Sequence, residues 1–445
     1  MIRLFLAVLL SKIVNFICHI FKKNGNQLPG YFVYDVFLGH KILSRVKYPK
    51  YVIAITGSSG KGTTCSLLKH VLSDNNMKVI NNDSGNNGVL GVVSFILTNC
   101  SLFGRVKADA IVLECDEKHL KLIFNGYKPT HLIITNVTRD QPARNGNPLI
   151  VFNEIEKVID DSVNLVINLD DPLLARLKLK YKNVITYGIS KTKYDYTKVD
   201  INNVDFAYCP VCNSKLKYQY YHYGHLGSYK CPNCDFGKSK VDFEGSDIDL
   251  ENNTMKINGD LVKINKGAMY VCYATLATYA ITTNIGIKKD KILYALNDDI
   301  ISSKRGKELI FDNRKVTMLE TKNENNLSYY QSLKYITSQS GIKTIILGFE
   351  NVSRRYKLND LSWLYDVSFE MLNNDSSIDK IICIGRFRYD VATRLEYANV
   401  DWNKIILVDD LSNLVNIVKK SKGDIYTMVC FDMTEVIRKM ILDEN

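Results

Sequence analysis

Short runs of β-branched and aliphatic residues recur along the first half of the chain, each broken off by glycine, asparagine or an acidic residue. Residues 51–55 stop before Gly57, 110–113 before Glu114, 131–135 before Asn136, and 163–167 before Asn168. Runs this short, apolar throughout and separated by helical stretches, read as parallel strands buried on both faces. The alternation is regular over 48–200 and predicts a doubly wound α/β sheet. It breaks at 205–240, a tyrosine- and cysteine-rich insert. Beyond it, 254–257 and 261–264 predict a hairpin about Asn258-Gly259-Asp260, and 270–283 predicts a helix. A second alternating region starts near 305, with strands near 343–347, 380–384, 404–408 and 425–430 and helices over 411–420 and 433–442. It predicts a second, smaller, Rossmann-like α/β domain.

The first 23 residues follow a different rule. They are apolar except for Arg3, Lys12, Asn15 and His19, and they end on Lys22 and Lys23. Lys12 falls near the middle, where a membrane-spanning helix avoids charge, and no small-x-small cleavage site follows. The pattern predicts an amphipathic helix that docks on the protein or lies at a membrane surface. A connector through Leu28-Pro29-Gly30 leads to residue 47. At 445 residues the chain exceeds one compact core, and the expected divisions are 1–47, 48–304 and 305–445.

A net charge of +11 suits acidic ligands such as phosphates or an anionic membrane. No interleaved aromatic and basic residues suggest nucleic acid. Of eleven cysteines, Cys209, Cys212, Cys231 and Cys234 form C-x2-C-x18-C-x2-C. That spacing lets four thiolates enclose a structural zinc ion as a ribbon, with Pro210 and Pro232 favouring the tight turns. His222 and His225 lie between the pairs and, with the four positions filled, are expected at the surface. The other cysteines sit among apolar neighbours, as core residues of a reducing, cytoplasmic protein do.

The chemistry gathers where strands end. Gly57-Ser58-Ser59-Gly60-Lys61-Gly62-Thr63-Thr64 follows one strand and opens a helix. Two glycines let the backbone N–H groups turn toward a phosphate, the helix adds its positive end, and Lys61 neutralises the outer phosphates. The glycines are closer together than in the common phosphate loop and Gly62 directly follows Lys61, so the hydroxyl for Mg²⁺ falls to Thr63. Glu114, with Asp116 and Glu117 nearby, is the candidate carboxylate ligand. Past other strand ends stand Asp140 and the group Asn168, Asp170 and Asp171, expected to converge on the same rim. Ile384-Gly385-Arg386-Phe387-Arg388 lies past a strand of the second domain, where its arginines could hold an anion. Asp360 precedes a predicted helical run from Leu361 and suits its N-cap.

These segments resemble the Mur ligases and folylpolyglutamate synthetases: the T-G-S-S-G-K-G-T-T loop, Leu113-Glu114-Cys115-Asp116-Glu117, Thr135-Asn136 with Arg139-Asp140-Gln141, and Asn168-Leu169-Asp170-Asp171-Pro172, in that family's order. With the four-cysteine insert, Leu28-Pro29-Gly30 and the segment from Asp360 to Asp366, the chain is similar to the MurT branch, the ligase subunits of lipid II isoglutaminyl synthases. The resemblance implies a Mur-ligase-like central sheet and ATP- and Mg²⁺-dependent amidation of the D-glutamate α-carboxyl of lipid II through an acyl phosphate. Ammonia would come from a GatD-type glutaminase in a heterodimer, with the lipid II substrate met at the inner membrane surface. Lys61, Glu114, Asp140 and Asp360 would be the catalytic residues, Asp360 facing the glutaminase. The loop residues 57–64, Asn168, Asp170, Asp171 and Arg305 would hold the nucleotide. The member is a diverged one: Ala143 and Asn147 replace acidic residues, and Tyr270 and Tyr273 stand where the family carries asparagines beside adenine. An amino-acid ligase of the same family and a non-catalytic scaffold are the rival readings.

Overall fold

The computed structural model describes residues 2–21, 25–37, 39, 41–82, 86–139, 146–197, 205–264, 268–298, 309–320, 325–350, 361–373 and 375–442. The chain divides into two compact units. The first comprises Met1–Thr138, Asn147–Lys198 and Asp205–Lys304; the second comprises Arg305–Asn445 with the short pieces Arg139–Gly146 and Val199–Val204.

Unit 1 is built on a nine-stranded sheet in the order β11-β10-β9-β6-β5-β4-β1-β3-β2. Its strands are β1 (Tyr51–Thr56), β2 (Val79–Asn81), β3 (Ala110–Glu114), β4 (His131–Ile134), β5 (Asn164–Asn168), β6 (Val184–Ile189), β9 (Phe243–Asp249), β10 (Thr254–Ile257) and β11 (Asp260–Lys263). From β2 to β9 every pairing is parallel; β9, β10 and β11 form an antiparallel meander. The turn between β10 and β11 places Asn258 and Gly259 at positive φ, 48° and 94°, the two left-handed residues that a tight hairpin of this hand requires.

The strands of this sheet are apolar on both sides because helices cover both. α1 (Ile2–Ile20) and α3 (Val89–Thr98) lie on one face. α2 (Lys61–Asp74) and α6 (Met269–Asn284) pack on the other, with α4 (Pro148–Glu156), α5 (Pro172–Lys180) and α7 (Lys289–Leu296) completing the layers. Val52, Ala54, Ile111, Leu113, Leu132 and Ile134 share one core with Val92, Val93 and Ile96 of α3 and Leu4, Ala7 and Val8 of α1. Gly30 makes the entry to this layer possible: its N–H donates to Ser94 Oγ at 2.6 Å, and a Cβ there would stand 2.0 Å from the Leu90 carbonyl oxygen. The predicted N-terminal amphipathic helix is α1, seated on α3. Asn147, one of the lost acidic positions, accepts N–H bonds from Leu149 and Ile150 as the N-cap of α4.

The insert is a hairpin of β7 (Lys217–Tyr223) and β8 (Leu226–Lys230), flanked by the two cysteine pairs. Unit 2 has a six-stranded sheet, β12-β13-β17-β14-β15-β16, all parallel but for the edge strand β12. The strands are β12 (Leu309–Phe311), β13 (Arg314–Glu320), β14 (Lys343–Gly348), β15 (Ile378–Ile384), β16 (Ile405–Leu407) and β17 (Asp424–Val429). α8 (Asn326–Ser338), α9 (Arg388–Tyr397), α10 (Leu414–Lys420) and α11 (Phe431–Leu442) cover it with separate cores on its two faces.

The helical run predicted from Leu361 is a 3-10 turn, Ser362–Asp366. The buried Arg394 of α9 explains the difference: its guanidinium takes the carbonyls of Leu364 and Val367 at 3.1 and 2.7 Å, which an α-helix would need for its own ladder. Asp360, the expected cap of that run, lies outside the described residues.

Candidate functional site

In unit 1 the chain runs from β1 outward to β2, returns to β3, and only then crosses to β4 on the other side of β1. The strand order reverses there, so the segments after β1 and β4 diverge and leave a crevice at the carboxyl edge. The glycine-lysine loop fills the β1 side of that crevice, and Thr135–Thr138 fills the β4 side.

The two segments are laced together. Ser58 N–H donates to the Asn136 carbonyl at 2.9 Å, and Ser58 Oγ exchanges bonds with Thr138 O and Thr138 N–H, both at 2.9 Å. Ser59 N–H donates to Asn136 Oδ1 at 3.1 Å, while Thr135 Oγ1 donates to Ser59 O at 2.7 Å. Gly57 is needed because the loop passes so close: its φ is +123°, and a Cβ would stand 2.3 Å from Thr135 Oγ1. Gly60, at φ +84°, caps α2, and the position a Cβ would take there is open space. A loop held this firmly keeps its amides aimed before any ligand arrives. Thr138, missed from the sequence, is a main fastener.

Lys61 begins α2 and folds back beneath the loop. Its Nζ donates to the Gly57 carbonyl and to Glu117 Oε1, the latter at 2.6 Å, and both side chains are buried. Cys115 N–H donates to Ile55 O and Thr56 Oγ1 to Cys115 O, which ties the acidic turn after β3 to β1. Glu114 is half-buried, with Oε1 accepting from Asn87 Nδ2 at 3.1 Å. Asn82, from the end of β2, bonds both the N–H and the C=O of Glu114, at 2.8 and 2.9 Å. A Cβ on residue 62 would be 3.3 Å from Glu114 Oε2, so Gly62 admits the carboxylate to the first turn of α2, where Thr63 stands. Lys61, Glu114 and the loop 57–64 are thus brought together, with Glu117 joining them. Thr63 and Glu114 are the oxygen donors here suited to Mg²⁺.

The group after β5 is placed differently. Asn168, Asp170 and Asp171 are fully buried. Asn168 Nδ2 donates to Thr135 O at 3.3 Å, and Asn168 Oδ1 accepts from Asp170 N–H at 3.0 Å. Asp170 Oδ2 accepts from Ile189 N–H at 2.8 Å and Tyr273 Oη at 2.6 Å, while Oδ1 pairs with Lys238 Nζ at 2.6 Å. Asp171 caps α5 through Leu173 N–H and accepts from Val137 N–H at 2.7 Å. With their oxygens bonded to protein groups, Asn168, Asp170 and Asp171 form a buried anchor after β5. Tyr273, where the family carries an asparagine, gives its hydroxyl to Asp170. Arg305 and Asp140, the remaining expected site residues, lie outside the described residues.

The insert is what this anchor holds. His222 and His225, expected at the surface, are buried. His222 sits between Asp195 Oδ1 (2.7 Å) and the Ile189 carbonyl (3.1 Å), and His225 Nε2 lies 3.3 Å from Asp171 Oδ1. Burial works against a charged His225, but the Asp171 carboxylate outweighs it and the pKa ends above the ordinary imidazole value. Burial also opposes the charge on Lys238, and Asp170 again reverses the balance upward. At the end of β7, burial pushes the Tyr223 phenol's pKa up; Asp170 and Asp171 add to this, and the hydroxyl of Ser59 in the loop offsets it in part. The hairpin therefore reaches from the cysteine pairs to the carboxylates after β5.

The sulfurs of Cys209, Cys212, Cys231 and Cys234 all lie within 4.8 Å of one another. Two pairs are 3.6 and 3.4 Å apart. A tetrahedron of thiolates with metal bonds of ~2.3 Å has edges of about 3.8 Å, so the cluster has the size one ion needs. Val211 and Asn233 N–H each donate to the first sulfur of their own pair at 3.4 Å, stabilising the thiolates. In unit 2, Arg388 is bound to Asp409, past the end of β16, at 2.7 Å and to the Gly385 carbonyl.

Residues 55–234 match the Mur ligase middle domain family, and 322–432 match the MurT ligase C-terminal family. The lipid II isoglutaminyl synthase (glutamine-hydrolyzing) subunit MurT of Staphylococcus aureus is 27% identical over 404 residues, covering 90% of this chain and 89% of that protein. The subunit of the same name from Streptococcus pneumoniae is 26% identical over 411 residues, covering 89% and 86%. A solved pseudomurein peptide ligase type C from Methanothermus fervidus shares the fold, with a TM-score of 0.66 at 21% identity over 92% of this chain and 81% of its own. A Mur ligase middle domain followed by a MurT-type C-terminal region, with MurT subunits matched over about nine-tenths of the chain, makes the MurT subunits homologues of this protein along nearly its whole length.

Proposed function

We propose that the protein is the ligase subunit of a lipid II isoglutaminyl synthase. The α-carboxylate of D-glutamate in the stem peptide attacks the γ-phosphorus of ATP, giving an acyl phosphate and ADP. Ammonia then adds to the carbonyl carbon, loses a proton, and phosphate leaves with the C–O bonding pair. The observation that carries the reading is the pairing of a MurT-type C-terminal region with a middle domain whose rigid loop already holds Lys61 among carboxylates.

Each residue's work follows from its position. The loop amides from Ser58 to Thr64 cradle the phosphates, and Lys61 leaves Glu117 for the phosphoryl oxygens, where charge builds up. Glu114 and Thr63 would hold Mg²⁺, which when bound neutralises that charge. We read Asp140 as a further catalytic carboxylate, Arg305 as a nucleotide contact and Asp360 as the residue turned to a GatD-type glutaminase. Residues 48–304 are the ATP-binding domain and 305–445 a Rossmann-like ligase domain, with a structural zinc ribbon at 205–240. A cytoplasmic site of action follows from the nucleotide and the free thiols.

Purified protein with a competent glutaminase, lipid II, glutamine and MgATP should convert lipid II to a product lighter by about one mass unit, the replacement of OH by NH2. Unchanged lipid II would refute the assignment. Phosphate release that required an added amino acid and ignored glutamine would identify an amino-acid ligase instead.

A further inference from the structure

α1 has the length and hydropathy of a membrane span. Its inner stripe, however, is already occupied. Leu4, Ala7, Val8, Ser11 and Cys18 are buried against protein, and Lys12 Nζ donates to the Thr98 carbonyl at the end of α3 at 2.7 Å. A helix fastened this way cannot be ringed by lipid.

Among the described residues of unit 1 nothing covers the opposite stripe. Ile2, Leu6, Ile13, Phe16, Ile17 and Ile20 recur at helical spacing on one side, and Ile2 and Phe16 are 77% and 66% exposed. Phe103, 77% exposed, is held beside them. Its turn closes through Gly104 N–H to Ser101 O at 2.8 Å, and its ring lies 6.3 Å from that of Phe5. The placement depends on Gly104, at φ +73°: a Cβ there would stand 2.1 Å from Leu4 Cδ2, so only glycine lets the turn press onto α1. A loop fitted to a helix merely to end in an exposed phenylalanine needs a second apolar medium.

The surrounding charge says which medium. The chain carries Arg3, Lys12, Lys22 and Lys23 and no acidic residue before Asp35; the α3 segment 89–108 carries Arg105 and Lys107 and again none. An apolar stripe with Arg3 on α1 and Arg105 and Lys107 beyond the Phe103 turn as its near charges is complementary to an anionic bilayer, which receives the apolar side chains and attracts the basic groups together. A second copy of the same surface would set cation against cation.

We propose that the outer face of α1 and Phe103 together form a docking surface for an anionic lipid bilayer, α1 lying in the interface and not crossing it. The surface deepens the proposed function, whose substrate carries a lipid, but its test is independent of amidation. Full-length protein is sedimented with vesicles of phosphatidylglycerol and phosphatidylethanolamine, and with vesicles of phosphatidylcholine alone. The wild type should pellet with the anionic vesicles, less so in high salt. The Phe16→Ser/Phe103→Ser variant should partition at least about tenfold less, because two exposed rings no longer leave water. Its melting temperature should match the wild type. Equal binding of wild type and variant, or no preference for anionic vesicles, overturns the proposal. So does a dimer that the same substitutions make monomeric without any vesicle binding. Loss of amidating activity with vesicle binding intact would count against the ligase reading alone.

Discussion

Asp170 is the joint between the sheet and the cysteine insert, and its loss has a calculable effect. The carboxylate is fully buried, takes N–H and O–H bonds from Ile189 and Tyr273, and pairs with Lys238 at 2.6 Å. Asp170→Asn keeps the shape but leaves the Lys238 ammonium, 13% exposed, without its counter-charge. Removing one member of a buried ion pair costs about 3–5 kcal/mol, and the amide oxygen retains one acceptor, which favours the lower end. At about 2–4 °C per kcal/mol for a domain of this size, the melting temperature should fall by roughly 6–12 °C. Adding Lys238→Met removes the stranded cation and should recover about half of the loss. Thermal unfolding by circular dichroism on metal-replete protein measures both. A loss under about 1 kcal/mol, or a double variant less stable than Asp170→Asn alone, would refute the account of Asp170 as an anchor.

Glu117→Gln should tighten Mg²⁺-free ADP by about five- to tenfold in calorimetry, because phosphate no longer competes with a carboxylate for Lys61; weaker binding would contradict that competition. Metal analysis by plasma mass spectrometry should find one zinc per chain, and Cys209→Ser/Cys231→Ser should abolish it; retention of zinc by that variant would place the ion elsewhere. His225 has a raised pKa from Asp171, so its stabilisation is complete below about pH 6.5 and is lost as pH rises through the folded-state value. Urea midpoints should therefore fall across the neutral-to-alkaline range in the wild type and fall less in His225→Asn; parallel slopes would show that His225 does not carry the effect.

The parts of this molecule that could be read from the sequence are those whose cause is local. β1, β3, β4 and β5 announce themselves because strands buried on both faces must be apolar throughout. The Asn258-Gly259 turn does so because two positive φ values demand those residues, and the cysteine cluster because four sulfurs need only two short spacings. β2 is three residues long and too short to show a period. His222 and His225 were misplaced because whether a histidine is buried depends on a distant partner: Asp195 and Asp171 lie 27 and 54 positions away along the chain. The anchoring role of Asp170 is hidden for the same reason, since Lys238 and Tyr273, its partners, are remote in sequence. The 3-10 turn after Leu361 depends on Arg394, which no window around residue 361 contains. Glu117 and Asn82 matter to the site through contacts, from Glu117 to Lys61 and from Asn82 to the Glu114 backbone, that only the fold creates.

The central claim is that a phosphate chain replaces Glu117 as the partner of Lys61 in the loop after β1. Isothermal titration of MgATP into the wild type and Lys61→Ala tests it directly. The account predicts saturable one-to-one binding to the wild type and a loss of at least about a hundredfold in the variant, the equivalent of about 2.7 kcal/mol for a charge-assisted contact to phosphate. Undetectable binding by the wild type at millimolar nucleotide, or equal affinity in Lys61→Ala, would contradict it.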